Sequence, residues 1–175
     1  MSLSPAPHGW HRHAHGGGLV EDTATCEPTV YVGKRARVSG NARVSGNARV
    51  SDNAWVSDNA LVFGDARVSG DARVSDNAWV SGNAWVSGNA WVSGDAWVSG
   101  NALVLWGYCA PYSWTAWIDR DGDYIMAIGC EMWPLTWWPA LGEDLAAEHG
   151  YSGDLTVLDS LVVYVAAAFD RQRPR

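Results

Sequence analysis

Four histidines fall close together near the start of the chain, at His8, His11, His13 and His15. Imidazole is the commonest side-chain ligand for transition metals, and on an extended strand His11, His13 and His15 would project to one side. No cysteine or acid stands among them to complete a coordination shell. The segment therefore reads as a polar cap whose backbone covers the exposed edge of the structure that follows. Asp119, Asp121 and Asp123 have the spacing that opens a calcium loop. Such a loop needs glycine at its sixth position and a carboxylate at its twelfth; these are Tyr124 and Cys130. Neither cluster is expected to hold a metal, and no cofactor is expected.

The remaining side chains with chemical capability are arginines and tryptophans, and a repeat positions them. From Val32 to Val104 a valine recurs every six residues, and a small residue keeps step from Ala36 to Ala102. Looser copies carry the register back through Val20 with Ala24 and Cys26 with Val30. Each unit reads Ala-x-Val-Ser followed by Gly-Asn, Asp-Asn or Gly-Asp. Side chains alternate faces along a strand, so Ala and Val point one way while the variable residue and Ser point the other. Gly, Asn and Asp tolerate the left-handed backbone of a sharp corner. Short strands with a corner every six residues are the signature of a parallel β-helix. A repeated α-helix would place a poor helix former at almost every position.

The phrase resembles the hexapeptide-repeat superfamily, the left-handed parallel β-helix of many acyltransferases and of gamma-class carbonic anhydrases. That pattern has an aliphatic residue, often followed by Gly as in Val32-Gly33, and a small residue at the fifth position. The resemblance covers about half the chain. It implies three hexapeptides per turn, so that residues 18 apart stack on one flat face of a triangular prism. One column would then hold Arg37, Trp55, Arg73 and Trp91. The next would hold Arg43, Leu61, Trp79 and Trp97, and the third Tyr31, Arg49, Arg67, Trp85 and Leu103. Arginine over indole at the strand spacing of about 4.8 Å permits a cation–π contact worth roughly 0.5–1 kcal/mol. Arginine dominates the early coils and tryptophan the late ones, so the prism is polarised along its axis.

Composition narrows the function classes. The 175 residues carry 12 basic and 19 acidic side chains, a net charge of −7. The repeat balances Lys34, Arg35, Arg37, Arg43, Arg49, Arg67 and Arg73 against six aspartates, while the acids concentrate after it. Beyond the arginine columns there is no basic face for duplex nucleic acid. Three cysteines, an odd number, argue against a disulfide framework, and Cys26 in the valine register reads as a core thiol. No signal peptide and no long uncharged apolar run is found, so a soluble, cytoplasmic protein without membrane attachment is expected.

Three regions follow: an N-terminal tail or cap over 1–19, the β-helix over 20–104, and a small α+β cap over 105–175. In the last region Ser113 to Asp119 and Tyr124 to Cys130 read as two strands, joined around Asp121-Gly122 as a hairpin. A helix is expected after Trp133–Trp138, ending near Gly150. A second begins at Asp154, with an apolar stripe of Leu155, Leu158, Leu161, Val162 and Val165. The fold class is thus mainly β, with a hairpin plus two helices at the C-terminal end.

The resemblance implies a histidine general base for an acyltransferase, or three zinc-binding histidines for a carbonic anhydrase. Between Gly16 and Glu148 there is no histidine at all, and no phosphate loop, dinucleotide fingerprint or nucleophile elbow appears. The expectation leans away from an enzyme. The leading reading is a scaffold that self-associates, as a trimer, through its Trp and Arg faces, since exposed apolar patches mark interfaces. The alternatives are a binder of a small anionic ligand (a nucleotide, phosphorylated metabolite or sugar) in clefts between subunits, and a divergent acyltransferase. The residues expected to make such contacts are Arg49, Arg67, Arg73, Trp79, Trp85, Trp91 and Trp97.

Overall fold

The computed structural model describes residues 4–100, 102–109, 112–118, 123–128, 131–138 and 165–167. Two-residue strands recur every six residues and pair in parallel with the strand one turn away, Arg37 with Trp55, Arg43 with Leu61, Arg49 with Arg67. They build three flat parallel stacks of five strands each, which makes a β-solenoid of about five turns. The first face runs from Leu19–Glu21 to Trp91–Val92 and the second from Thr25–Cys26 to Trp97–Val98. The third runs from Tyr31–Val32 to Leu103–Cys109. The column partners are those expected at an 18-residue spacing.

Packing explains the phrase. Every valine from Val30 to Val104 and every alanine from Ala36 to Ala102 is buried in one continuous core. Full burial of a valine contributes about 1.5 kcal/mol or more, and beside it the corner takes a small residue, alanine in every unit from Ala36 on and valine at Val30. Three faces meet at three corners, each a turn of the form Ser51–Ala54, closed by the Ala54 N–H donating to the Ser51 carbonyl at 3.1 Å. The second residue of the turn has positive φ, occupied by Gly at 40, 46, 64, 70, 82, 88, 94 and 100 and by Asp at 52, 58 and 76. Aspartate is among the few L-residues enriched there. It also supplies an acceptor: Asp52 Oδ2 takes the Gly70 N–H at 3.2 Å and Asp76 Oδ2 the Gly94 N–H at 3.1 Å. Asparagine ladders continue up the corners, as from Asn41 to Asn59 to Asn77 to Asp95.

The N-terminal residues close the lower end. A strand Trp10–Arg12 pairs antiparallel with Leu19–Glu21, the lowest rung of the first face. Gly18 N–H donates to the Val32 carbonyl at 2.9 Å and Val32 N–H to the His15 carbonyl at 2.9 Å, which satisfies the lower edge of the third face.

At the upper end the six-residue phrase stops after Val104. The last rung of the third face continues as a single strand, Leu103–Cys109. Antiparallel strands Tyr112–Ile118, Tyr124–Ile128 and Glu131–Pro134 extend it in order. The sequence expectation had two strands here; backbone pairing on both outer edges adds the others. Trp117 is buried in the solenoid core, and Trp91 N–H, on the last rung of the first face, donates to Thr115 Oγ1 at 3.1 Å. Trp114, Ala116, Met126, Leu135 and Trp138 form a second core with Val165, which lies in a short helical turn. Residues 139–164, which hold most of the two expected helices, and the Asp119–Asp123 connection fall outside the described residues, apart from Asp123.

Candidate functional site

The outward columns carry the candidate chemistry, and the three faces differ. On the first face arginine and tryptophan alternate, and the Arg73 Cζ stands 6.0 Å from the centroid of the Trp55 ring one rung below. On the third face Arg49 lies over Tyr31, with Cζ 5.3 Å from the ring centroid, Arg67 follows directly, and Trp85 comes next. On the second face Trp79 and Trp97 stack with centroids 4.3 Å apart and planes 7° from parallel.

A single device orients the indoles on the first and third faces. Trp55 Nε1–H donates to Ser39 Oγ at 2.8 Å, Trp85 to Ser69 at 3.3 Å and Trp91 to Ser75 at 3.3 Å. Each acceptor is the serine 16 residues earlier, just past the strand one rung below. The indole therefore leans back over the preceding rung with its N–H satisfied. These three rings remain 39%, 49% and 50% exposed. Under Trp79 the same place holds Phe63 instead of serine, in edge contact at 5.2 Å.

The seven residues expected to make contacts do not share a site. Arg49, Arg67 and Trp85 lie on the third face, Arg73 and Trp91 on the first, Trp79 and Trp97 on the second. The third-face set borders a shallow groove of about 380 Å³ with Tyr31, Ser51, Asp52 and Ser69. A second groove of about 400 Å³ lies on the other side of the same corner, bordered by Leu19, Lys34, Arg35, Arg37, Asn53 and Trp55. Sequence reasoning put Tyr31 in the third column but named neither it, nor Phe63, nor the acceptor serines among the contact residues. Phe63 was detectable, since it alone breaks the serine register between residues 39 and 99.

The histidines do not converge. His11 Nδ1 meets Asp22 Oδ1 at 3.0 Å on the surface. His13 is buried, with Nε2 3.1 Å from the Glu27 carbonyl and Nδ1 3.3 Å from the His15 backbone. His15 stands edge-on to Tyr31. Among the described residues no cluster of three or more His, Cys, Asp or Glu could hold a metal ion. Cys26 takes an inward position but is only partly buried. Desolvation, with the charge of Glu27 second, pushes its thiol up to about 11.

A family model described as the YdcK beta solenoid repeat matches residues 36–58, 54–70, 66–82, 78–94 and 84–100. The chain is similar to that repeat over the rungs that carry the columns. The match supports a β-solenoid repeat protein and does not single out the hexapeptide acyltransferases. No curated protein and no solved structure matches the chain.

Proposed function

We propose that this β-solenoid repeat protein is a non-enzymatic scaffold that associates side by side with copies of itself, as a trimer, through its second face. The observation that carries this reading is the unbroken apolar run Leu61, Trp79 and Trp97, flanked by Phe63. The columns on the other faces are interrupted by arginine. Flat apolar strips of this kind serve as interfaces, and repeats at a fixed spacing let identical chains align rung against rung. The outward arginines and indoles are hydrogen-bond donors with no acceptor lone pair, which favours binding over proton transfer. His11 and His13 are engaged within the lower cap.

Light scattering over a range of concentrations tests the assembly. A native mass three times that of the chain is expected, falling to the single-chain mass in Trp97→Glu. A wild-type protein that stays a single chain at every concentration would overturn the proposal. Transfer of the acetyl group from acetyl-coenzyme A to an amine or hydroxyl acceptor would overturn its non-enzymatic part.

A further inference from the structure

Six of the seven cationic side chains on the repeat gather around one edge of the prism. Lys34 and Arg35 stand at the corner between the third and first faces, with Arg49 and Arg67 on one side and Arg37 and Arg73 on the other. Most acids of the solenoid lie at the other two corners: Glu21, Asp22, Asp58, Asp76 and Asp95 at one, Glu27 and Asp65 at the other. Two acids share the cationic edge, and both are engaged. Asp52 accepts from Gly70 N–H and from the Ser51 hydroxyl, and Asp71 accepts from Asn53 Nδ2 at 2.8 Å. Among the described residues the sole ion pair is His11 with Asp22.

Within this edge one pair stands out. Arg49 and Arg67 are direct register partners on adjacent parallel strands, and no carboxylate reaches either. Like charges placed opposite one another across strands destabilise a sheet, so this pair costs the ligand-free chain stability. Two arginines on neighbouring rungs, with backbones about 4.8 Å apart, can both donate charge-assisted hydrogen bonds to the oxygens of one tetrahedral anion. Beside them the groove of about 380 Å³ is lined by Tyr31, Ser51, Ser69, the Trp85 ring and Asp52, whose carboxylate is engaged by the Gly70 N–H and the Ser51 hydroxyl. That size is within the usual range for small-molecule sites. The Trp85 indole is held by its bond to Ser69 and half exposed, which makes it a fixed platform for a planar ring.

We propose that Arg49 and Arg67 together bind the phosphate of a nucleoside phosphate, with its base lying against Trp85. All groups come from one chain, so the site is independent of association through the second face.

The test is calorimetric titration of wild type and variants at low ionic strength with adenosine monophosphate, adenosine and inorganic phosphate. Wild type binds the nucleotide more tightly than either fragment. Arg49→Gln and Arg67→Gln each weaken nucleotide binding by about tenfold or more, as loss of a charged hydrogen bond requires. Trp85→Leu lowers nucleotide affinity and leaves phosphate affinity unchanged. A second readout separates the site from a structural effect: Arg67→Gln raises the ligand-free melting temperature and abolishes the rise that the nucleotide gives wild type. No binding at millimolar nucleotide overturns the proposal. So does an equal loss in Arg43→Gln on the second face, or phosphate binding as tightly as the nucleotide.

Discussion

Phe63 lies beneath Trp79 in the place where serines lie beneath Trp55, Trp85 and Trp91, and Trp79 Nε1 is buried without a hydrogen-bond partner. A desolvated, unpaired N–H costs about 1–3 kcal/mol. The second face holds that N–H in an apolar column and offsets its cost through the stack on Trp97 and the edge contact with Phe63, each pair contributing about 0.5–1.5 kcal/mol.

Replacing the indole by phenyl therefore has different consequences on different faces. Trp79→Phe removes an unpaired donor and keeps a ring in the stack. Trp55→Phe breaks the 2.8 Å bond to Ser39. Chemical denaturation is expected to show Trp79→Phe less costly by about 1 kcal/mol, although Trp79 is the more buried ring. The reverse order would mean that the unpaired N–H carries no penalty.

The columns were legible in the sequence because burial enforces them. Val and Ala must face inward every six residues, so the residue before each valine must face outward, and the 18-residue turn fixes which of these stack. The corner was equally plain, since Asp52, Asp58 and Asp76 replace glycine only where a left-handed residue is tolerated. The division of labour among faces was harder to see. Axial polarity, arginine early and tryptophan late, shows in a linear reading. The lateral gathering of Lys34, Arg35, Arg37, Arg49, Arg67 and Arg73 emerges only when the turn is closed. The strand Leu103–Cys109 was missed because the six-residue phrase ends where a strand paired on both edges no longer needs it. The burial of His13 depends on a backbone carbonyl, that of Glu27, which no side-chain pattern announces.

Two glycine substitutions separate conformational strain from crowding. Gly70 has φ of +74°, and a Cβ there would stand 2.8 Å from Gly88 N and 2.9 Å from its carbonyl oxygen. Gly100 has φ of +68° with nothing within 4 Å. Gly100→Ala should cost only the left-handed penalty of about 1–2 kcal/mol. Gly70→Ala should add an overpacking cost of about 1–3 kcal/mol, because backbone rather than a yielding side chain opposes it. Equal melting temperatures for the two variants would show that the rungs separate freely.

Cys26 links stability to alkaline pH. Its thiol ordinarily titrates at 9.0 and is raised to about 11 in the folded chain, first by desolvation and then by Glu27. Between those values the unfolded chain has released a proton that the folded chain retains, so the folded state binds more protons and stability falls as pH rises. Below about 9 the contribution is flat. Denaturation of wild type against Cys26→Ser should show a wild-type loss confined to this window, with the difference growing toward 11. An identical pH profile in the two proteins would place Cys26 in water.

The lower cap rests on His13. With a proton on Nε2, the ring donates to the Glu27 carbonyl and Nδ1 accepts the His15 N–H. Removing the ring takes the His15 N–H's part-buried acceptor and one of the two donors to the Glu27 carbonyl, which keeps the Val30 N–H, at a cost of about 1 kcal/mol. Repeat proteins depend on their terminal caps, and openings begin at the ends. His13→Ala should therefore speed hydrogen exchange at Val32 and Gly18, whose N–H groups join the cap to the third face. Exchange at Arg67, bonded to Ala84 three rungs up the stack from those edges, should be unchanged. A uniform rise at all three amides would show that the solenoid opens as one unit and that the cap is not a separate element of its stability.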